Sequence, residues 1–318
     1  MVSISNKIFQ LFLYKIVNIN CVKNSNVIEK LSRGNNNGQH IQKKGYIVSE
    51  KVTENNSKYV LIKKDNNIKP KKVIYYFHGG SYIANLTTFY ERYWLSYCDL
   101  RNDIAVVLLD YSLAPEYKYP TQLNEAIDVW NEITKTIKPE NIIIGGDSAG
   151  GNLAIVLINK LQKEMNVSPK AGLFISPWTD MTISGQSIKD NYNKDILLGD
   201  KSQQINNEIF EKLKNADYFC FVGDAERTDP YISPVFDDYN IFPKSLFFVG
   251  SDEMLLDDTL RVVDKIKQNG NDVTLINKEG MFHVYPISAS FTPEGKEARR
   301  IIQKFILECF EDKQQSKL

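Results

Sequence analysis

The sequence predicts an α/β chain built on a mainly parallel sheet with helices on both faces, and three observations carry that reading. Short β-branched and aromatic runs recur at 46–53, 58–64, 72–77, 104–110, 141–145, 171–176, 245–250 and 273–277. Most of them are separated by helical patterns, and strands alternating with helices argue for parallel pairing. The run Asn141-Ile142-Ile143-Ile144-Gly145-Gly146-Asp147-Ser148-Ala149-Gly150-Gly151-Asn152 passes from an apolar strand through a glycine-flanked serine into a helix.

Taken in chain order, Ile8, Leu11, Phe12, Ile16 and Ile19 recur at helical spacing, so an amphipathic helix is expected there. Its apolar stripe is expected to pack on the body, with a membrane surface as the alternative partner. Gln10 and Lys15 interrupt the apolar stretch and no small-residue cleavage site follows, so it does not read as a cleaved signal. Residues 32–44, with the run Asn35-Asn36-Asn37, form a polar break that reads as a loop or hinge. The alternation then holds until 180–240, a polar and aromatic stretch that reads as an inserted cap. The chain after Glu311 is a charged tail.

Composition narrows the partners. The 318 residues are 42% apolar and 25% charged, enough for one large α/β domain with an insertion. Lys plus Arg and Asp plus Glu both number 39, so nothing marks a footprint for nucleic acid or an anionic membrane. Cys21, Cys98, Cys220 and Cys309 are scattered without a C-x-x-C pair, which fits reduced thiols in the cytoplasm. No segment reaches the ~18 consecutive apolar residues of a spanning helix. A homodimer stays open.

The serine supplies the chemistry. A hydroxyl thrust out on a sharp strand-to-helix turn needs very small neighbours two residues before and after it, and Gly146 and Gly150 stand there, with Asp147 beside the serine. A serine attacks a carbonyl only when a base takes its proton and a third group orients that base. Chain order in this kind of fold runs serine, acid, histidine, and of the histidines His40, His78 and His283 only the last follows Ser148. His283 is therefore expected as the base. Asp252 emerges where the strand 245–250 ends and is expected as the acid. Glu253 is expected to be a solvated neighbour, and Asp257 and Asp258 to be first-turn charges of the following helix.

The oxyanion of an acyl-transfer intermediate needs preorganised backbone N–H donors. Ala149, opening the helix after the serine, is one candidate. Phe77-His78-Gly79-Gly80-Ser81-Tyr82 is a strand ending in a glycine pair, and Gly79, Gly80 and Ser81 are the others, with His78 holding the loop's shape. No His or Cys cluster has metal-ligand spacing, and the glycine-rich turn lacks the Gly-Lys-Ser/Thr ending of a phosphate loop, so neither metal nor cofactor is expected.

With these residues assembled, the chain resembles the hormone-sensitive lipase family of α/β-hydrolases, the esterase IV group with the α/β-hydrolase fold-3 pattern. Further matching segments are Asp110-Tyr111-Ser112-Leu113-Ala114-Pro115-Glu116, Ser176-Pro177-Trp178-Thr179-Asp180 and Asp229-Pro230-Tyr231-Ile232-Ser233-Pro234. The resemblance covers roughly 70–310. It implies an eight-stranded α/β-hydrolase sheet over 46–318, a helical cap made of an N-terminal segment (1–45) and the insertion at 180–240, and cofactor-free cleavage of short to medium acyl esters. Two departures stand out: Ser81 where the family's loop is usually a third glycine, a pattern shared with the non-enzymatic gibberellin receptors of plants, and Ser112 where arginine is common. Two other readings compete with the esterase: an arylformamidase or amide deacetylase on the same triad, and a small-molecule receptor without turnover.

Overall fold

The computed structural model describes residues 2–22, 27–32 and 39–311. The asparagine run at 35–37 and the tail after Glu311 lie outside the described residues. Runs rich in Val, Ile, Tyr and Phe form β1 (Tyr46–Val52), β2 (Lys58–Lys64), β3 (Lys72–Phe77), β4 (Ile104–Asp110), β5 (Ile142–Asp147), β6 (Ala171–Ile175), β7 (Ser245–Gly250) and β8 (Val273–Lys278). They make one sheet in the order β1-β2-β4-β3-β5-β6-β7-β8. From β4 to β8 every pairing is parallel; β1 and β2 pair antiparallel with each other, and β2 antiparallel with β4.

The connecting helices are α1 (Ile4–Ile16), α2 (Val27–Ser32), α3 (Thr88–Leu95), α4 (Thr121–Thr134), α5 (Ala149–Met165), α6 (Ser187–Asp190), α7 (Asn207–Lys214), α8 (Leu256–Gln268), α9 (Tyr285–Ser288) and α10 (Pro293–Phe310). Every residue of β3, β5, β6 and β7 is buried, as a sheet covered on both faces requires. Alternate residues feed two cores. Tyr75, Phe77, Ile144 and Phe247 pack with α4, α5 and α8, while Ile74, Tyr76, Ile143 and Phe248 pack with α3 and α10. Burial of one such side chain stabilises by about 1.5–3 kcal/mol. α5 is buried almost throughout its first three turns, which is why its sequence reads apolar all round.

The stretch 180–240 runs between β6 and β7 and carries α6 and α7. Its start is tied to α8 by Asp258, whose Oδ2 accepts the amides of Thr179 at 2.7 Å and Asp180 at 2.8 Å. Asp257 accepts the Ser187 amide at 2.8 Å. Both are first-turn residues of α8, and both are committed to holding the insertion.

α1 forms where expected but faces the other way. Ile8, Leu11, Phe12 and Ile16 point to solvent, and the side turned to the body carries Asn6 and Leu13. The reason is a polar clamp. Asn6 Nδ2 donates to Glu294 at 3.1 Å and Thr292 at 3.3 Å, Ser3 donates to Glu294 through both N–H and Oγ, and Gln10 donates to the Gly280 carbonyl at 3.0 Å. Periodicity locates an apolar stripe but does not say which side of the helix the body holds.

Candidate active site

Parallel strands bring their carboxyl ends to one edge, and the sequence-predicted residues collect there. Ser148 follows β5 with φ 52° and ψ −119°, a left-handed conformation unusual for a residue with a side chain. Its neighbours permit that bend. A Cβ on Gly146 would lie 2.2 Å from the Gly150 carbonyl oxygen, and one on Gly150 would lie 2.1 Å from the Phe77 carbonyl oxygen. The turn is pinned by Ser148 N–H donating to Ile175 O at 3.0 Å and by Trp178 N–H donating to Ser148 O at 3.0 Å.

His283 lies on the loop between β8 and α9, buried, with Nδ1 2.9 Å from Glu253 Oε2. Asp252, expected from the sequence to be the histidine's carboxylate, does not reach it. Its backbone N–H donates to Met281 O at 3.1 Å and its Oδ1 accepts the Ser251 hydroxyl at 2.9 Å, so its side chain is spent on its own loop. Glu253, expected to be solvated, is fully buried, and its Oε1 accepts the Ser176 hydroxyl at 2.7 Å and the Gly250 amide at 2.5 Å. The extra methylene and the tight turn after β7 carry Glu253 inward.

Ser176, just past β6, has a second role. Its Oγ accepts the Val284 amide at 3.1 Å, so one hydroxyl joins the Glu253 carboxylate to the histidine loop. The sequence places that serine in a segment shared with the family but gives it no role. Burial works against a charged His283, but the hydrogen bond and charge of Glu253, with Asp195 and Asp147 farther off, outweigh it and raise the pKa above 6.5. With Nδ1–H directed at the carboxylate, Nε2 is left to accept a proton.

The loop after β3 differs in one respect from the expectation. The Gly79 amide, expected among the oxyanion donors, donates at 3.0 Å to Tyr90 Oη, which donates at 2.8 Å to Asp147 Oδ2. It is already spent. The amides of Gly80, Ser81 and Ala149 donate no hydrogen bond among the described residues. Ser81 takes the left-handed conformation, φ 57°, that a glycine would adopt more readily.

Asp147 is fully enclosed, and Tyr76 Oη donates to its other oxygen at 3.0 Å. Burial pushes its pKa up to about 6, against the two tyrosine hydroxyls, the His283 charge and the Gly79 amide, which pull it down. His78 stacks face to face on Tyr111 with ring centroids 4.2 Å apart, and burial lowers its pKa to about 4. It is a neutral prop for the loop.

Ser148 opens into a cavity of about 60 Å³ walled by Trp178, Leu213, Tyr218, Phe219 and Met254. The insertion thus supplies Tyr218 and Phe219 to the wall. Phe221 stacks on Tyr82 at 4.1 Å and Tyr192 is buried, so these two pack and do not line the cavity. Ser112, at the position where arginine is common in the family it resembles, donates its hydroxyl and its amide to Glu125 at 2.5 and 2.8 Å.

Known proteins match this chain and its fold. A family model described as alpha/beta hydrolase fold matches residues 74–287. An esterase of Acinetobacter venetianus is 32% identical over 236 residues, covering 74% of each chain. An acetyl-hydrolase of Streptomyces hygroscopicus is 27% identical over 74% of this chain and 75% of its own. Among solved structures, an esterase from the bacterial hormone-sensitive lipase family superposes with a TM-score of 0.75 at 25% identity over 89% of both chains. The esterase EstE5 superposes with a TM-score of 0.82 over 97% of this chain and 99% of its own, at 24% identity, a likeness of fold.

Proposed function

Since the chain belongs to the hormone-sensitive lipase group of α/β-hydrolases, we propose that it hydrolyses carboxylic esters through an acyl-enzyme, with Ser148 as nucleophile, His283 as general base and Glu253 orienting that base. The observation that carries this reading is the buried His283–Glu253 pair at 2.9 Å, on the same sheet edge as the strained turn of Ser148. In the first step Ser148 Oγ attacks the ester carbonyl carbon while His283 Nε2 takes its proton. The charge on the former carbonyl oxygen is received by the amides of Gly80, Ser81 and Ala149, donors of a kind worth about 3 kcal/mol each. Collapse expels the alcohol, which takes the proton from His283. Water then repeats the sequence on the acyl-enzyme and releases the carboxylic acid.

The apolar walls and small volume of the cavity favour acyl chains of a few carbons, and the relatives' names, among them an ethyl acetate hydrolase of Pseudomonas putida, agree in kind. The N-terminal segment and the insertion at 180–240 act in this reading as the cap over the site. The four free thiols fit a reducing cytoplasm. The test is hydrolysis of p-nitrophenyl acetate, butyrate, octanoate and palmitate, with p-nitroacetanilide beside them. Rates should peak at acetate or butyrate and collapse by palmitate. A preference for the anilide would move the assignment to amide substrates, and binding of a short ester without turnover would move it to a receptor.

A further inference from the structure

The outward face of α1 is a feature that ester hydrolysis leaves unused. Ile4, Ile8, Leu11, Phe12 and Ile16 are each at least half exposed, and Phe291, itself 56% exposed, extends the patch through an edge contact with Phe9 at 4.8 Å. The five helix residues expose on the order of 600 Å² of apolar surface, the upper end of the largest patch on an ordinary monomer. The orientation is fixed by the polar clamp of Ser3, Asn6 and Gln10, so the apolar face cannot turn inward without breaking those bonds.

Charge says what covers it. α1 contains no acidic residue, and its two cations, Lys7 and Lys15, are both exposed and stand one turn before and one turn after Leu11. We infer that α1 docks this protein on an anionic lipid surface, its apolar side chains entering the headgroup boundary and Lys7 and Lys15 reaching out to the phosphates. No helix among the described residues is long and apolar enough to cross a membrane, so α1 lies on the surface.

A second copy is the poorer partner. An isologous contact would bring the lysines of both copies into one apolar interface with no carboxylate on either helix. Docking bears on substrate supply, because the chain just past α1 is sewn to the cavity wall. Ile19 N–H donates to Leu197 O at 2.8 Å, Asn20 donates to Leu198 O at 2.7 Å, and Leu198 and Tyr218, whose hydroxyl bonds Ile19 O, both line the cavity.

Cosedimentation with vesicles tests this without reference to catalysis. The full chain should pellet with equimolar phosphatidylglycerol and phosphatidylcholine, much less with phosphatidylcholine alone, and less at high salt. The variant carrying Ile8→Ser, Leu11→Ser and Phe12→Ser should keep its melting temperature and lose binding at least tenfold. Lys7→Gln with Lys15→Gln should lose the anionic preference, on the order of tenfold. Failure of the wild type to bind either vesicle would overturn the inference. So would a dimer in sedimentation velocity that the triple variant dissolves while vesicle binding is absent.

Discussion

His283 Nδ1 meets Glu253 Oε2 at 2.9 Å, while the adjacent Asp252 is bonded within its own loop. Two neighbouring carboxylates are therefore expected to behave very differently. Glu253→Gln, which can still accept from Ser176 and Gly250, should lower kcat by roughly 10³–10⁴-fold, because the imidazole loses the partner that fixes its tautomer. Asp252→Asn should stay within a few-fold of wild type. Steady-state kinetics on p-nitrophenyl butyrate decide it, and the opposite ranking would return the role to Asp252.

The pH profile follows from the same pair. His283 must be neutral to take the serine proton, and Glu253 holds its pKa above 6.5, so kcat/KM should fall as pH drops through a midpoint above 6.5. Removing the carboxylate leaves burial as the dominant influence, which disfavours imidazolium. The acid limb of Glu253→Gln should therefore move to lower pH. A limb that stays put in this variant would detach Glu253 from the base.

Tyr90 joins the two halves of the site, since one hydroxyl accepts the Gly79 amide and donates to Asp147, the residue before the serine. Tyr90→Phe frees the loop at 79–81 from the turn of Ser148 and should lower kcat about 10–100-fold with KM within a few-fold, the split expected when transition-state contacts alone are lost. Tyr76→Phe, which touches only the other oxygen of Asp147, should have the smaller effect. Equal and negligible losses in both would mean the bridge is only structural.

Gly150 tolerates no side chain, because its Cβ would sit 2.1 Å from backbone at the end of β3. Backbone cannot step aside as a flexible side chain can. Gly150→Ala should cost at least about 3 kcal/mol, read as a lower denaturant midpoint, or fail to fold. An unchanged midpoint would contradict the close packing of α5 on β3.

The sheet was legible because its strands are buried on both faces and so read as unbroken β-branched and aromatic runs, and the eight segments fall where those runs lie. The places of Ser148 and His283 at the sheet's carboxyl edge are legible because glycine spacing and chain order leave few candidates. The acid was not. In Ser251-Asp252-Glu253 both carboxylates follow the same strand, and the choice rests on how the turn after Gly250 aims each side chain, information that composition and spacing lack. Tyr90 and Ser176 escaped for a related reason, since hydroxyls become functional only through partners far away in sequence. α1 shows the converse: periodicity gives its apolar stripe but not the side the body holds, which is the side that carries the polar contacts to Glu294 and Gly280.

The most direct measurement is covalent labelling with a fluorophosphonate, followed by mass spectrometry of the peptides. One adduct per chain is expected, on Ser148, formed in step with loss of ester hydrolysis and absent in Ser148→Ala. Full ester turnover in a folded Ser148→Ala protein, or an adduct on another residue that tracks inactivation, would contradict it.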